Sequence, residues 1–265
     1  MGAASAAPSQ GSLPANLAQG AQHGRARWGV LLGVACWVEG GGVDPGDGVS
    51  SRLDSATVDL LGVLAYGELT AFERLAGDAQ LAPTLADKAA LGRMAAAEFD
   101  HYGRLEAHMR AEGIDPEAAM QPFRDAVDGF HDSTPPSDWY EGLIKAYVGD
   151  GLATDVYREV AAFVQDDRTR GLVLEVLADT GQASFAVRRV REATAADPAM
   201  SGRLALWARR LVGEALLQAQ RVAVERDALT ELLVGGSGDL AGIARLLSRL
   251  TDNHTARMQA LGLSS

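Results

Sequence analysis

Residues 95–103 read AAAEFDHYG, which sets Glu98 and His101 three positions apart inside an alanine-rich run. Residues three apart on an α-helix differ by about 60° around the axis, so a carboxylate and an imidazole spaced this way share one side. They are half of a metal site, or they are ordinary helix decoration. The distances to other ligand-type residues decide between the two. GELTAFE at 67–73 is echoed by GDGLATD at 149–155, with glycine, carboxylate, alanine and carboxylate in matching places. Glu98 follows Glu68 by 30 residues, and His101 comes three later; Asp179 follows Asp150 by 29, and Gln182 comes three later. Each half therefore reads carboxylate, one hairpin's length, carboxylate, two residues, ligand-type side chain.

A hairpin of that length returns the chain to the same height and sets Glu68 opposite Glu98. Two such hairpins packed antiparallel would converge four carboxylates and two further ligands. Carboxylates grouped inside a bundle are costly unless cations offset them. Hard oxygen ligands with an imidazole suit iron, as a pair or a single ion, with manganese as the other candidate. Glu73, Asp155 and Glu159 stand a turn or two away and read as ion-pair partners. His108 shares the face of His101 but has no carboxylate spaced to join it, His131 and His254 read as structural, and Tyr66, Tyr102 and Tyr147 as packing or hydrogen-bonding neighbours of the ligand positions.

The elements that must hold these residues are helices. The 265 residues are 47% apolar, alanine is heavily used and arginine far outnumbers lysine; alanine, leucine, arginine and glutamate are all good helix formers. Asp54 or Ser55 caps a first helix with apolar residues at Leu60, Leu61, Leu64, Phe72 and Leu75. A second runs from about 84 to 112 and stops at Gly113. A proline-bearing connector follows, allowing only short helical pieces. A third helix spans roughly 137–165 and a fourth about 168–196. Two more occupy about 200–233 and 239–261. No stretch alternates as a strand does, so the chain is all-α: a four-helix bundle over 54–196 within a domain of 53–265, with two additional C-terminal helices.

Residues 1–52 read differently. Their Gly-, Ala-, Ser- and Pro-rich opening has no periodicity and is expected to be disordered or poorly structured. The apolar run at 28–38 is about half the ~20 residues of a spanning helix, so no membrane partner is expected. Arg25 and Arg27 before it imitate a signal peptide, but no clean cleavage site follows. With Cys36 the one cysteine, there is no disulfide framework, and a cytoplasmic location is the natural reading.

The stretches AYGELTAFERLA, AAAEFDHY, GLIKAYVGDGLATDVYREVA and VLEVLADTGQASF resemble the ferritin-like di-iron carboxylate proteins. Within them the chain is most similar to the branch grouped with the tRNA hydroxylase that oxidises the isopentenyl group of a methylthioadenosine. The likeness covers about residues 54–192. It implies a ferritin-like bundle with metal ligands at Glu68, Glu98, His101, Asp150, Asp179 and Gln182. It also implies a dioxygen-dependent hydroxylase or monooxygenase acting as an oxidoreductase. The family pattern has Glu and then Glu-x-x-His in its second half, where this chain has Asp150, Asp179 and Gln182. The first metal site is thus expected intact and the second weakened. The alternative is a non-catalytic bundle, a scaffold or interaction protein with a degenerate metal site.

The resemblance makes tRNA a candidate partner, but charge disfavours it. The chain carries a formal net charge of -11, and residues 54–182 hold 24 acidic against 10 basic groups. Arg188, Arg189, Arg191, Arg203, Arg209, Arg210 and Arg221 are the one basic concentration that could meet phosphates; pairing with the acidic helices is the competing expectation. Leu204, Trp207, Leu211 and Leu216 form a stripe that the bundle or a second copy must cover, which makes a homodimer one expectation. The substrate is not written in the sequence.

Overall fold

The fold is seen in a computed structural model that describes residues 53–178, 181–237 and 240–264. The expected disordered extension over 1–52, and Asp179 of the second-half motif, lie outside the described residues. Every regular element among the described residues is helical, and no helix there is long and apolar enough to cross a membrane.

The bundle's first hairpin is α1 (Ser55–Asp78) and α2 (Leu85–Ala111). The Asp54 side chain accepts from the Thr57 amide, and the Thr84 hydroxyl accepts from the Asp87 amide. Each cap satisfies an amide that has no partner in the first turn. The connector forms α3 (Pro116–Met120), a short 3-10 turn, and α4 (Arg124–Ser133). α3 crosses α1 at Gly62, where a Cβ would stand 2.1 Å from the Ala119 carbonyl oxygen. Only a glycine allows that approach.

The third helix is composite: α5 (Trp139–Ile144), a π-helical segment (Lys145–Gly149) and α6 (Asp150–Ala161). The wider π winding shifts the face presented by the residues after it. Lys145 is buried within that segment. Its ammonium donates to the Thr134 carbonyl at 2.8 Å, closing the end of α4 where carbonyls lack helical partners.

The fourth helix differs from the continuous span expected over 168–196. It is α7 (Asp167–Val176) followed, after a break, by α8 (Gln182–Ala196). Arg158 of α6 donates to the Leu177 carbonyl and closes α7, and Gly181 takes the left-handed region at φ 95°, which glycine adopts without steric cost. Gln182 lies beyond that break, and Asp179 is outside the described residues. Gln182 is the first residue of α8.

The helix expected over 200–233 is also two: α9 (Met200–Glu225) and α10 (Asp227–Ser237), followed by α11 (Leu240–Leu261). The cause is tertiary. Arg226 leaves helical geometry to place its guanidinium on the buried carboxylate of Asp59 in α1, Nε to Oδ2 at 3.0 Å. Leu204, Trp207 and Leu211 are buried by this chain itself, so most of the expected stripe needs no second copy.

The apolar interior is in two parts. One core gathers Leu75, Leu91, Trp139, Ile144, Phe185, Val190, Leu211 and Met258. The other gathers Leu60, Leu64, Leu105, Met109, Phe123, Val160 and Val173. Along α1, α2, the composite third helix and the broken fourth, the change from one core to the other falls at the same height. Glu68, Glu98, His101, Asp150 and Gln182 all lie in that interval.

Candidate metal centre

α1 delivers Glu68 from the stretch between Ala65, in one core, and Leu75, in the other. α2 delivers Glu98 and His101 from between Ala95 and Leu105. One ligand atom from each of these three side chains lies within 4.8 Å of the other two. His101 Nδ1 stands 3.4 Å from Glu68 Oε2 and 3.5 Å from Glu98 Oε2. The side chains keep only about a tenth of their surface, 12% for Glu68 and His101 and 11% for Glu98.

Glu68 Oε2 and His101 Nδ1 are buried atoms that no well-formed hydrogen bond satisfies, although they face each other at 3.4 Å. Buried polar atoms held in contacts this loose regain only part of what they lost with water. Two carboxylate oxygens and one imidazole nitrogen turned to a common point are what a divalent cation requires, and the donor set suits iron or manganese. The residues fit the group that the sequence implied.

The cluster retains protons that a cation would displace. Burial, with the neighbouring Glu98, pushes the Glu68 carboxyl up to about 9, against the opposing pull of His101. The Glu68 and Glu98 carboxylates, within 3.5 Å of Nδ1, push the His101 imidazole up to about 9. Burial also raises Glu98, but bonds from His101, Glu68 and Gln182 outweigh it and hold that carboxyl below its usual range. The three groups share one proton inventory.

Asp150 is not among the clustered ligand atoms. It is close enough for the charge of Glu98 to act on it, and Lys145 acts in the opposite sense. Protein packed around Asp150 pushes its carboxyl well above the usual range, yet its own surface is exposed. Water at that exposed surface solvates the charged form and limits the upward push. Gly149 and Gly151 flank it, and a Cβ on either would press on Phe130 or Arg257.

Gln182 reaches the cluster through its amide, whose Nε2 donates to Glu98 Oε1. Tyr157, which the sequence did not single out, is pushed up to about 12 by burial and then by the charge of Glu68. Its position seven residues after Asp150 was the available signal.

The remaining candidates have other partners. His108 Nε2 lies 2.8 Å from the Thr169 hydroxyl, which itself donates to Asp166. His131 is held neutral, down to about 3, by burial and by Lys145 and Arg74. His254 is lowered by burial and by Arg257. Asp155 pairs with Arg257 and Glu159 with Arg249, tying α11 to α6. Tyr66 donates to Asp128 at 2.7 Å.

All seven arginines of 188–221 make internal contacts. Arg189 clasps the buried Asp87, and Arg203 bonds Asp138 and Glu141. Arg191, Arg209 and Arg210 donate to the carbonyls of Ala260, Ser264 and Ser133. Arg221 donates to Gln218, and Arg188 lies 5.5 Å over the Phe185 ring.

The family model described as a ferritin-like domain of actinomycetes matches residues 51–236. No curated protein matches the chain significantly.

Proposed function

Because the chain belongs to the actinomycete ferritin-like domain family, a fold that builds metal sites between facing helices, we propose that it binds one iron or manganese ion through Glu68, Glu98 and His101. With iron, we take it to be an oxidoreductase that uses dioxygen to oxidise a substrate approaching by way of the exposed Asp150. The observation that carries this reading is the convergence of ligand atoms from Glu68, Glu98 and His101 within 4.8 Å of one another, on side chains that keep only about a tenth of their surface.

Ferrous iron bound there would supply electrons to dioxygen, and an external reductant would restore it. The residues supply the rest. Glu68 and His101 give up protons when the cation binds, and Glu98 enters already ionised. Asp150 is exposed, with a carboxyl raised by its surroundings, and would hold or pass a proton. Tyr157 stays protonated at neutral pH and presents a neutral hydroxyl beside Glu68. The two apolar cores on either side exclude bulk water from the interval that they bracket.

A second reading, a bundle that binds a partner rather than a substrate, is favoured by Leu206 at 63% and Val224 at 72% exposure on α9. One experiment separates the two. Anaerobic titration with ferrous iron, followed by exposure to oxygen, should show uptake of one iron per chain and dioxygen consumption that the His101→Ala variant lacks. Iron uptake without dioxygen consumption supports the second reading. No iron uptake by the unmodified protein rejects the centre itself.

A further inference from the structure

Gln182 occupies the place where the second half of the sequence pattern would put an imidazole ligand, but the structure gives its side chain another task. The break after α7 and the left-handed Gly181 start α8 at this residue. From there its amide reaches 84 positions back along the sequence to Glu98. Glu98 thus has its two oxygens committed differently. Oε1 accepts from the Gln182 amide, and Oε2 faces the His101 nitrogen at 3.5 Å. The amide must be the donor, since turning its carbonyl to Glu98 would oppose two acceptor oxygens.

We propose that Gln182 is a positioning residue that holds one oxygen of Glu98 away from the cation, so that Glu98 binds through a single oxygen and the centre takes one metal. A carboxylate that bridges two metals needs both oxygens, and Gln182 withholds one. Asp150 fits the same arrangement, because it lies outside the close cluster and receives the opposing charge of Lys145. Partners of this kind, one bond removed from the metal, tune affinity as well as orientation.

This inference rests on the proposed cation at Glu68, Glu98 and His101, and titration with Co(II) as the probe tests the two separately. The unmodified protein should bind one Co(II) per chain. Gln182→Met, similar in length but without a donor, should bind it about 10- to 100-fold more weakly. Its visible Co(II) spectrum should also change as Glu98 turns both oxygens to the metal, while helicity stays unaltered. Gln182→His, which can donate from its ring, should still take one Co(II). If Gln182→Met matches the unmodified protein in affinity and spectrum, or Gln182→His takes up a second Co(II), the positioning role is wrong although the cation site stands. If the unmodified protein binds no Co(II), both fail.

Discussion

His101 is the one nitrogen in the ligand cluster, and its partners explain how the site should respond to pH. The imidazole and the Glu68 carboxyl are both pushed up to about 9, above ordinary values of 4.5 for Glu68 and 6.5 for His101. Between those values the folded protein without metal holds more protons than the unfolded chain, so stability must fall as pH rises. The stabilisation is complete below the ordinary values and gone above about 9. Thermal melts of metal-free protein from pH 6 to 9 should show that decline, and His101→Ala should flatten it over the upper half of the range. A cation inverts the trend, because it competes with the same protons. Mn(II) affinity should rise by up to about tenfold per pH unit for each proton displaced, and a pH indicator should register proton release on mixing. Affinity that is flat across this range would mean that these two groups are not the ligands.

At the scale of elements, Gly62 is where a single atom matters most. A methyl group there would stand 2.1 Å from the Ala119 carbonyl oxygen, and backbone cannot swing aside as a side chain can. Gly62→Ala should cost about 1–3 kcal/mol in denaturant unfolding, while Gly92→Ala, with nothing within 4 Å of its added atom, should not destabilise. The first hairpin was legible in the sequence because its signals are local: Asp54 and Thr84 cap, Pro83 separates, and Gly113 ends α2 at φ 75°. Thirty residues of helical rise then bring Glu68 to Glu98 with little freedom. The second hairpin was legible only in outline, since its departures are caused by residues far away. Nothing near Arg226 announces that Asp59, 167 positions earlier, will interrupt the helix. Gly181 was visible, but the Arg158 bond that closes α7 and the Glu98 bond that fixes Gln182 were not. The π segment has no composition of its own, and it decides which way Lys145 and Asp150 face.

For the whole molecule, the arginine-rich last third reads as the counterweight to the acidic bundle. Arg189, Arg203, Arg226, Arg249 and Arg257 each reach a carboxylate on an earlier helix. Arg209 and Arg210 end on carbonyls. Reversing both to Glu should therefore lower the melting temperature, at about 1 kcal/mol per lost hydrogen bond. tRNA should show no salt-sensitive binding to the unmodified protein; binding that weakens steeply with salt would assign those side chains to phosphate instead. The two apolar cores share helices but not side chains, and along α1 and α2 the change from one to the other falls in the interval of Glu68, Glu98 and His101. Hydrogen exchange should then find two protected islands with a faster-exchanging waist between them. A cation held at that waist would act as a rivet, slowing exchange on α1 and α2 around 68 and 98–101 and making the two islands open as one.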